Sequence, residues 1–129
     1  MGKVIDRHKS RDLALIEIPE DYVPVKPYGN PQLLDIGTRL YAIGTPEDYT
    51  LRTTVTQGVL SAVRKMDWGG NWTFVQTDTP INGGNSGGPL ITKDGKLVGV
   101  NTWKYVAVKL EGLGFAIPVN EISKHLSLP

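Results

Sequence analysis

Apolar residues recur along this chain in short runs, separated by turn residues. The runs are Lys3 to Asp6, Leu13 to Ile18, Thr38 to Gly44, Leu51 to Lys65, Thr73 to Thr77, Pro89 to Thr92, Leu97 to Val108 and Gly114 to Ile117. Rich in Val, Ile, Leu and Thr and too short for most helices, they read as strands. Turn signals stand between them at Thr45-Pro46-Glu47-Asp48, Asp67-Trp68-Gly69-Gly70-Asn71, Lys93-Asp94-Gly95-Lys96 and Glu111-Gly112. The six runs from Thr38 onward predict an antiparallel barrel or sandwich. Only the end of the chain changes period: Val119, Ile122 and Leu126 are spaced for one face of a short closing helix, with Asn120 near its start.

Two stretches break the pattern. Arg7-His8-Lys9-Ser10-Arg11 is a run of polar residues, read most simply as a solvated turn. Residues Pro19 to Pro31 contain four prolines, two tyrosines and a glycine. Proline disfavours both helix and central strand, so this segment predicts an ordered connector between two lobes.

Composition narrows the class of protein. The chain has 129 residues, one domain's worth, with 40% hydrophobic residues, 15 glycines and 9 prolines. A net charge of +1 offers no reason to expect nucleic acid or an anionic membrane as partner. No run has the apolar length of a membrane-spanning helix, and Asp6 and Arg7 stand where a signal peptide needs an apolar core. With no cysteine, a disulfide framework, a Cys-based zinc site and a cysteine nucleophile are excluded. The ligand-type side chains form no recognisable metal cluster, so no metal or organic cofactor is expected.

The candidate chemistry lies in Thr77 to Leu90. Gly83, Gly84, Gly87 and Gly88 surround a single serine, Ser86, between two apolar runs. Such a loop suits a serine nucleophile held at a sharp turn, with backbone N–H groups converging where charge develops on a carbonyl oxygen. A glycine-rich hairpin fits the spacing equally well. A phosphate loop fits poorly, because no Gly-Lys-Ser/Thr follows and a strand comes next where a helix would open. A serine nucleophile needs a base. The two histidines read as surface residues: on one extended strand His8 and Asp12 would be roughly 13 Å apart, and His125 sits late in the predicted helix. By local pattern Asp12 is an exposed residue at a strand start. Trp103 reads as a core aromatic, because Val98, Val100 and Thr102 alternate nearby, and Trp68 and Trp72 read as hairpin packing or a partner surface.

Gly84-Asn85-Ser86-Gly87-Gly88-Pro89-Leu90 resembles the nucleophile loop of trypsin-like serine endopeptidases. Gln76-Thr77-Asp78, Ile81-Asn82 and Asn85 before the serine resemble the HtrA branch, which includes DegP, DegQ and DegS. Asp12-Leu13-Ala14-Leu15-Ile16, Ala42 to Pro46, Thr54 to Ser61, Val98 to Thr102 and Gly114 to Pro118 agree in the same order. The resemblance implies an all-β, trypsin-like fold of two barrels with the active site between them. Here that means a complete second barrel in residues 35–129 with its short C-terminal helix. Residues 1–34 would be a remnant of the first barrel plus the connector.

It further implies catalytic Ser86 and Asp12, and an oxyanion hole from the N–H groups of Gly84 and Ser86. Pro80 and Ile81 would floor the specificity pocket, and Thr102, Trp103 and Lys104 would form the strand edge that pairs with substrate. The family's histidine lies upstream of the aspartate, in a segment outside this sequence, so the chain alone is expected to be inactive. Gly83 departs from the proline that HtrA members usually carry and is expected to loosen the loop. The implied partner is a polypeptide substrate or peptide ligand, and the implied compartment is periplasmic or otherwise extracytoplasmic. An incomplete first barrel would leave apolar surface around Leu13, Leu15 and Ile18, predicting a homo-oligomer or strand exchange that covers it.

Overall fold

A computed structural model describes residues 2–19, 21–28, 30–45, 53–67, 71–102 and 113–126. Strands β1 (Lys3–His8) and β2 (Leu13–Glu17) form an antiparallel hairpin. Six more strands follow: β3 (Arg39–Gly44), β4 (Thr54–Asp67), β5 (Asn71–Thr77), β6 (Pro89–Thr92), β7 (Leu97–Thr102) and β8 (Gly114–Pro118). They close into a barrel in the order β3-β4-β5-β8-β7-β6, every pairing antiparallel. Helix α1 (Val119–His125) ends the described chain, with Lys124 and His125 in its last turn.

The barrel follows from the alternation along its strands. Leu40 and Ala42, Leu60, Val75, Leu90, Val98 and Ala116 come from all six strands and make one buried cluster. Successive strand residues point to opposite faces. Phe74, Phe115 and Ile117 therefore point outward from β5 and β8. Outside the barrel they meet Leu13 of the hairpin and Leu126 beyond α1 in a second cluster. The strands at this junction are buried on both faces: β8 reads as a continuous apolar run, whereas β5 buries the polar Thr73, Gln76 and Thr77 beside Phe74 and Val75.

The proline-rich segment is tied to the barrel. Lys26 and Tyr28 exchange backbone hydrogen bonds with Leu97, and the Tyr28 ring packs on the barrel core. A 3₁₀ turn at Pro31–Leu33 follows, with the Asn30 side chain accepting from the Gln32 N–H.

Three expectations are corrected. Arg11, read as part of a solvated turn, is fully buried in a 3₁₀ turn, its guanidinium 4.5 Å from the Trp72 ring centre and 5.0 Å from that of Phe74. Arginine is weakly hydrated and planar, so two aromatic faces can replace much of its water. His8 and His125, read as surface residues, are half-buried and stacked edge-on at 5.0 Å, with Trp72 against both. Leu13 is buried and Leu15 packs beside it, so the exposed apolar surface of the hairpin belongs to Val4, Ile5, Ile16 and Ile18. Trp68, Gly69 and Gly70, the turn after Thr45, the start of the run at Leu51, the tail of the run to Val108 and Glu111-Gly112 lie outside the described residues.

Candidate active site

The Ser86 loop is built by its own polar side chains. Asn85 is buried, its Nδ2 donating to the Pro80 carbonyl at 2.9 Å and its Oδ1 accepting from the Asn82 N–H at 2.9 Å. These bonds fold residues 80–85 onto themselves and turn the chain sharply into Ser86. Gly87 sits at φ +85°, a conformation that L side chains rarely adopt. Gly88 and Gly44 are needed for space: a Cβ on Gly88 would overlap the Ile43 carbonyl, and one on Gly44 would overlap the backbone at Gly84 and Asn85.

Strand β7 clamps the loop. The Gly87 N–H donates to the Asn101 carbonyl at 2.7 Å, and the Asn101 N–H donates to the Gly88 carbonyl at 2.9 Å. The buried Asn101 side chain adds a bond to the Pro89 carbonyl at 3.2 Å. The next residue, Thr102, donates its hydroxyl to the Asp12 carboxylate at 3.0 Å. Two adjacent residues of one strand thus hold the serine loop and the aspartate, which stand 74 positions apart in the sequence.

Asp12 has the αL conformation, φ 58° and ψ 43°, between the 3₁₀ turn and β2. Aspartate tolerates this better than most residues because its short side chain bonds locally. The buried Arg11 before it and the buried Leu13 after it fix its backbone from both sides.

The amides of Gly84 and Ser86 are engaged within the loop. The Gly84 N–H donates to Asn82 Oδ1 at 2.8 Å and the Ser86 N–H to the Asn82 carbonyl at 3.1 Å. Sequence reasoning missed Asn82, although an Asn two residues before a glycine is a familiar side-chain turn signal. Pro80 is exposed, whereas Ile81 is half-buried against the barrel core. A small, partly open cavity of about 30 Å³, lined by Gly44, Thr54, Asn82 and Asn85, adjoins the loop and has room for about one water. Trp103 and Lys104 lie outside the described residues. Among the described residues, no three His, Asp or Glu side chains are placed to hold a metal ion. No helix among them is long and apolar enough to cross a membrane.

A closed antiparallel barrel, a glycine-rich serine loop and an aspartate joined to it through one strand define a class. The chain belongs to the trypsin-like peptidase domain family, whose model matches residues 2–100. Within that family its likeness is to the HtrA branch. It is 41% identical over 128 residues to the serine protease Do-like HtrA of Bacillus subtilis, covering 94% of this chain and 28% of that protein. To the Lactobacillus helveticus protein of the same description it is 36% identical over 129 residues, covering 94% of this chain and 31% of the relative. To a probable periplasmic serine endoprotease DegP-like of Pseudomonas fluorescens it is 40% identical over 121 residues, covering 92% and 25%. The crystal structure of Deg5 superposes with a TM-score of 0.77 at 33% identity, covering 95% of this chain and 57% of that one. The chain therefore spans less than a third of the length of these curated relatives.

Proposed function

We propose that these residues carry the serine and the aspartate of an HtrA-like serine endopeptidase, with the base histidine on chain outside them. The observation that carries the reading is the pair Asn101 and Thr102, which joins the Ser86 loop to Asp12. Ser86 Oγ is the nucleophile, and Asp12 orients the histidine. As the Oγ–carbon bond forms, the hydroxyl proton passes to the imidazole, which returns it to the leaving amine as the C–N bond breaks. The oxyanion is received by the amides of Gly84 and Ser86 once they leave Asn82.

His8 Nδ1 bonds to Ser10 Oγ and His125 Nε2 to Glu121 Oε2, and this engagement supports the reading that neither is the base and that the chain by itself is inactive. Residues 1–34 are then a remnant of a first barrel with the connector, and residues 35–129 the second barrel. The substrate is a polypeptide. Its backbone pairs with Thr102, Trp103 and Lys104, and its aliphatic side chain sits over the uncharged Pro80 and Ile81. The DegP-like relative's periplasmic description supports action outside the cytoplasm.

A second reading, a peptide-binding module without turnover, is favoured by the engagement of both candidate oxyanion amides with Asn82. A fluorescent fluorophosphonate separates the two. It is applied to this chain, to Ser86→Ala, and to a chain extended at its amino end with the family's histidine-bearing strands. Labelling of the extended chain alone, lost in Ser86→Ala, supports the protease. Absence of labelling from both, with saturable peptide binding unchanged in Ser86→Ala, establishes the binding module.

A further inference from the structure

Strand β4 is 14 residues long, and its two edges are used unequally. β3 pairs with Thr54 to Val59, and Gly37 and Thr38 extend that pairing to Leu60. β5 pairs with Leu60 to Asp67. Among the described residues, no strand pairs with the edge of Ala62–Asp67 that faces away from β5. Such an edge presents a row of backbone donors and acceptors to any extended chain beside it.

A groove of about 440 Å³ adjoins this stretch of β4, lined by Val63, Arg64 and Lys65, by Thr73 of β5, and by Gln32, Leu34 and Ile36 in and after the Pro31–Leu33 turn. Its apolar wall is Leu34, Ile36 and Val63, and its cationic wall is Arg64 and Lys65. Leu34 and Val63 are seated on the barrel core, whereas Ile36 is 66% exposed. Arg64 bonds to the neutral Gln76 Oε1 at 2.7 Å, and neither cation has an ion-pair partner among the described residues. Asp35 and Asp67 are nearby in sequence but do not line the groove. Arg64 lies on the opposite face of β4 from Val63 and Lys65, because strand side chains alternate.

We propose that this groove is a β-augmentation site for an extended acidic peptide segment of a partner polypeptide. The segment adds a strand to β4 and places an aliphatic side chain beside Val63, Leu34 and Ile36. Two adjacent carboxylates meet Lys65 on the inner face and Arg64 on the outer one. The backbone ladder supplies affinity, and the aliphatic-acid-acid order supplies selectivity. No residue of the groove belongs to the Asn82–Gly88 loop, so the site does not depend on Ser86 chemistry.

The test uses the intact chain and a fluorescein-labelled peptide of Glu-Glu-Val repeats, with a Lys-Lys-Val peptide as control, followed by fluorescence anisotropy and amide NMR shifts. Saturable binding of the acidic peptide is expected, with shifts concentrated at Ala62 to Met66. It should be weaker by about tenfold or more in Arg64→Glu/Lys65→Glu, which alters two exposed side chains, and unchanged in Ser86→Ala. Equal binding of the lysine peptide, no loss in the double variant, or shifts centred on Ser86 and Thr102 would overturn the proposal. So would the absence of saturable binding.

Discussion

Asn82 ties the serine loop together, since its side chain and its carbonyl each accept from one of the two amides proposed to receive the oxyanion. Asn82→Ala removes the bond to the Gly84 N–H. We expect faster hydrogen exchange at Gly84 and a loss of about 1 kcal/mol in urea unfolding, with the barrel amides unaffected. Gly87 and Gly88 differ in kind. Gly87→Ala meets open space and only conformational strain, about 1 kcal/mol, whereas Gly88→Ala collides with the Ile43 carbonyl and should cost about 2 kcal/mol or more. Comparing the two urea midpoints checks that order.

Asp94 offers a pH-dependent test at the same scale. The Thr92 hydroxyl, then the residue's own backbone amide, and more weakly Lys96, hold its carboxyl below the ordinary 3.8 against a small desolvation. A lowered folded-state value stabilises the fold above the ordinary carboxylate range, and that contribution disappears as pH falls through the lowered value. Thr92→Val should raise the Asp94 midpoint in an NMR titration. The glycines and Ser86 were readable in the sequence because their spacing is local. The engagement of Gly84 by Asn82 was not, since it depends on how the turn closes.

At the level of elements, the hairpin β1–β2 is held to the barrel by Arg11 and Leu13. The polar run around Arg11 looks solvated in the sequence because nothing local offers a cation a place to bury. Trp72 and Phe74, some sixty positions away, provide it, and the Arg11 Nη2 also donates to the Thr73 carbonyl at 3.3 Å. Arg11→Lys keeps the charge but loses the planar fit to two rings. It should destabilise the hairpin by about 1–2 kcal/mol and raise hydrogen exchange across Lys3–Glu17 while the barrel stays protected. Uniform loosening of both would mean that the hairpin and barrel unfold as one unit. Because Asp12 follows Arg11 directly, the same clamp sets where the candidate orienting carboxylate stands.

For the whole molecule, the outer face of the hairpin is an exposed apolar surface that association could cover. Val4 and Ile16 are cross-strand partners, 52% and 53% exposed, and Ile5 and Ile18 are about half exposed as well. Apolar surface beside an open strand edge favours association with another chain. Sedimentation velocity should show reversible self-association of this chain, shifted toward monomer in Ile16→Lys. A wild-type chain that sediments as a monomer at high micromolar concentration would refute it.

The strand order along the chain, the closing helix and the serine loop could all be read from local chemistry. Alternation at period two, turn residues and clustered glycines are properties of neighbouring residues, and each acts over a few positions. Closure of β3 onto β6, the cation buried between Trp72 and Phe74, and the strand that joins Asp12 to the Ser86 loop were decided only by the folded chain. Those contacts link residues tens of positions apart, and their energy exists only once the barrel has brought them together.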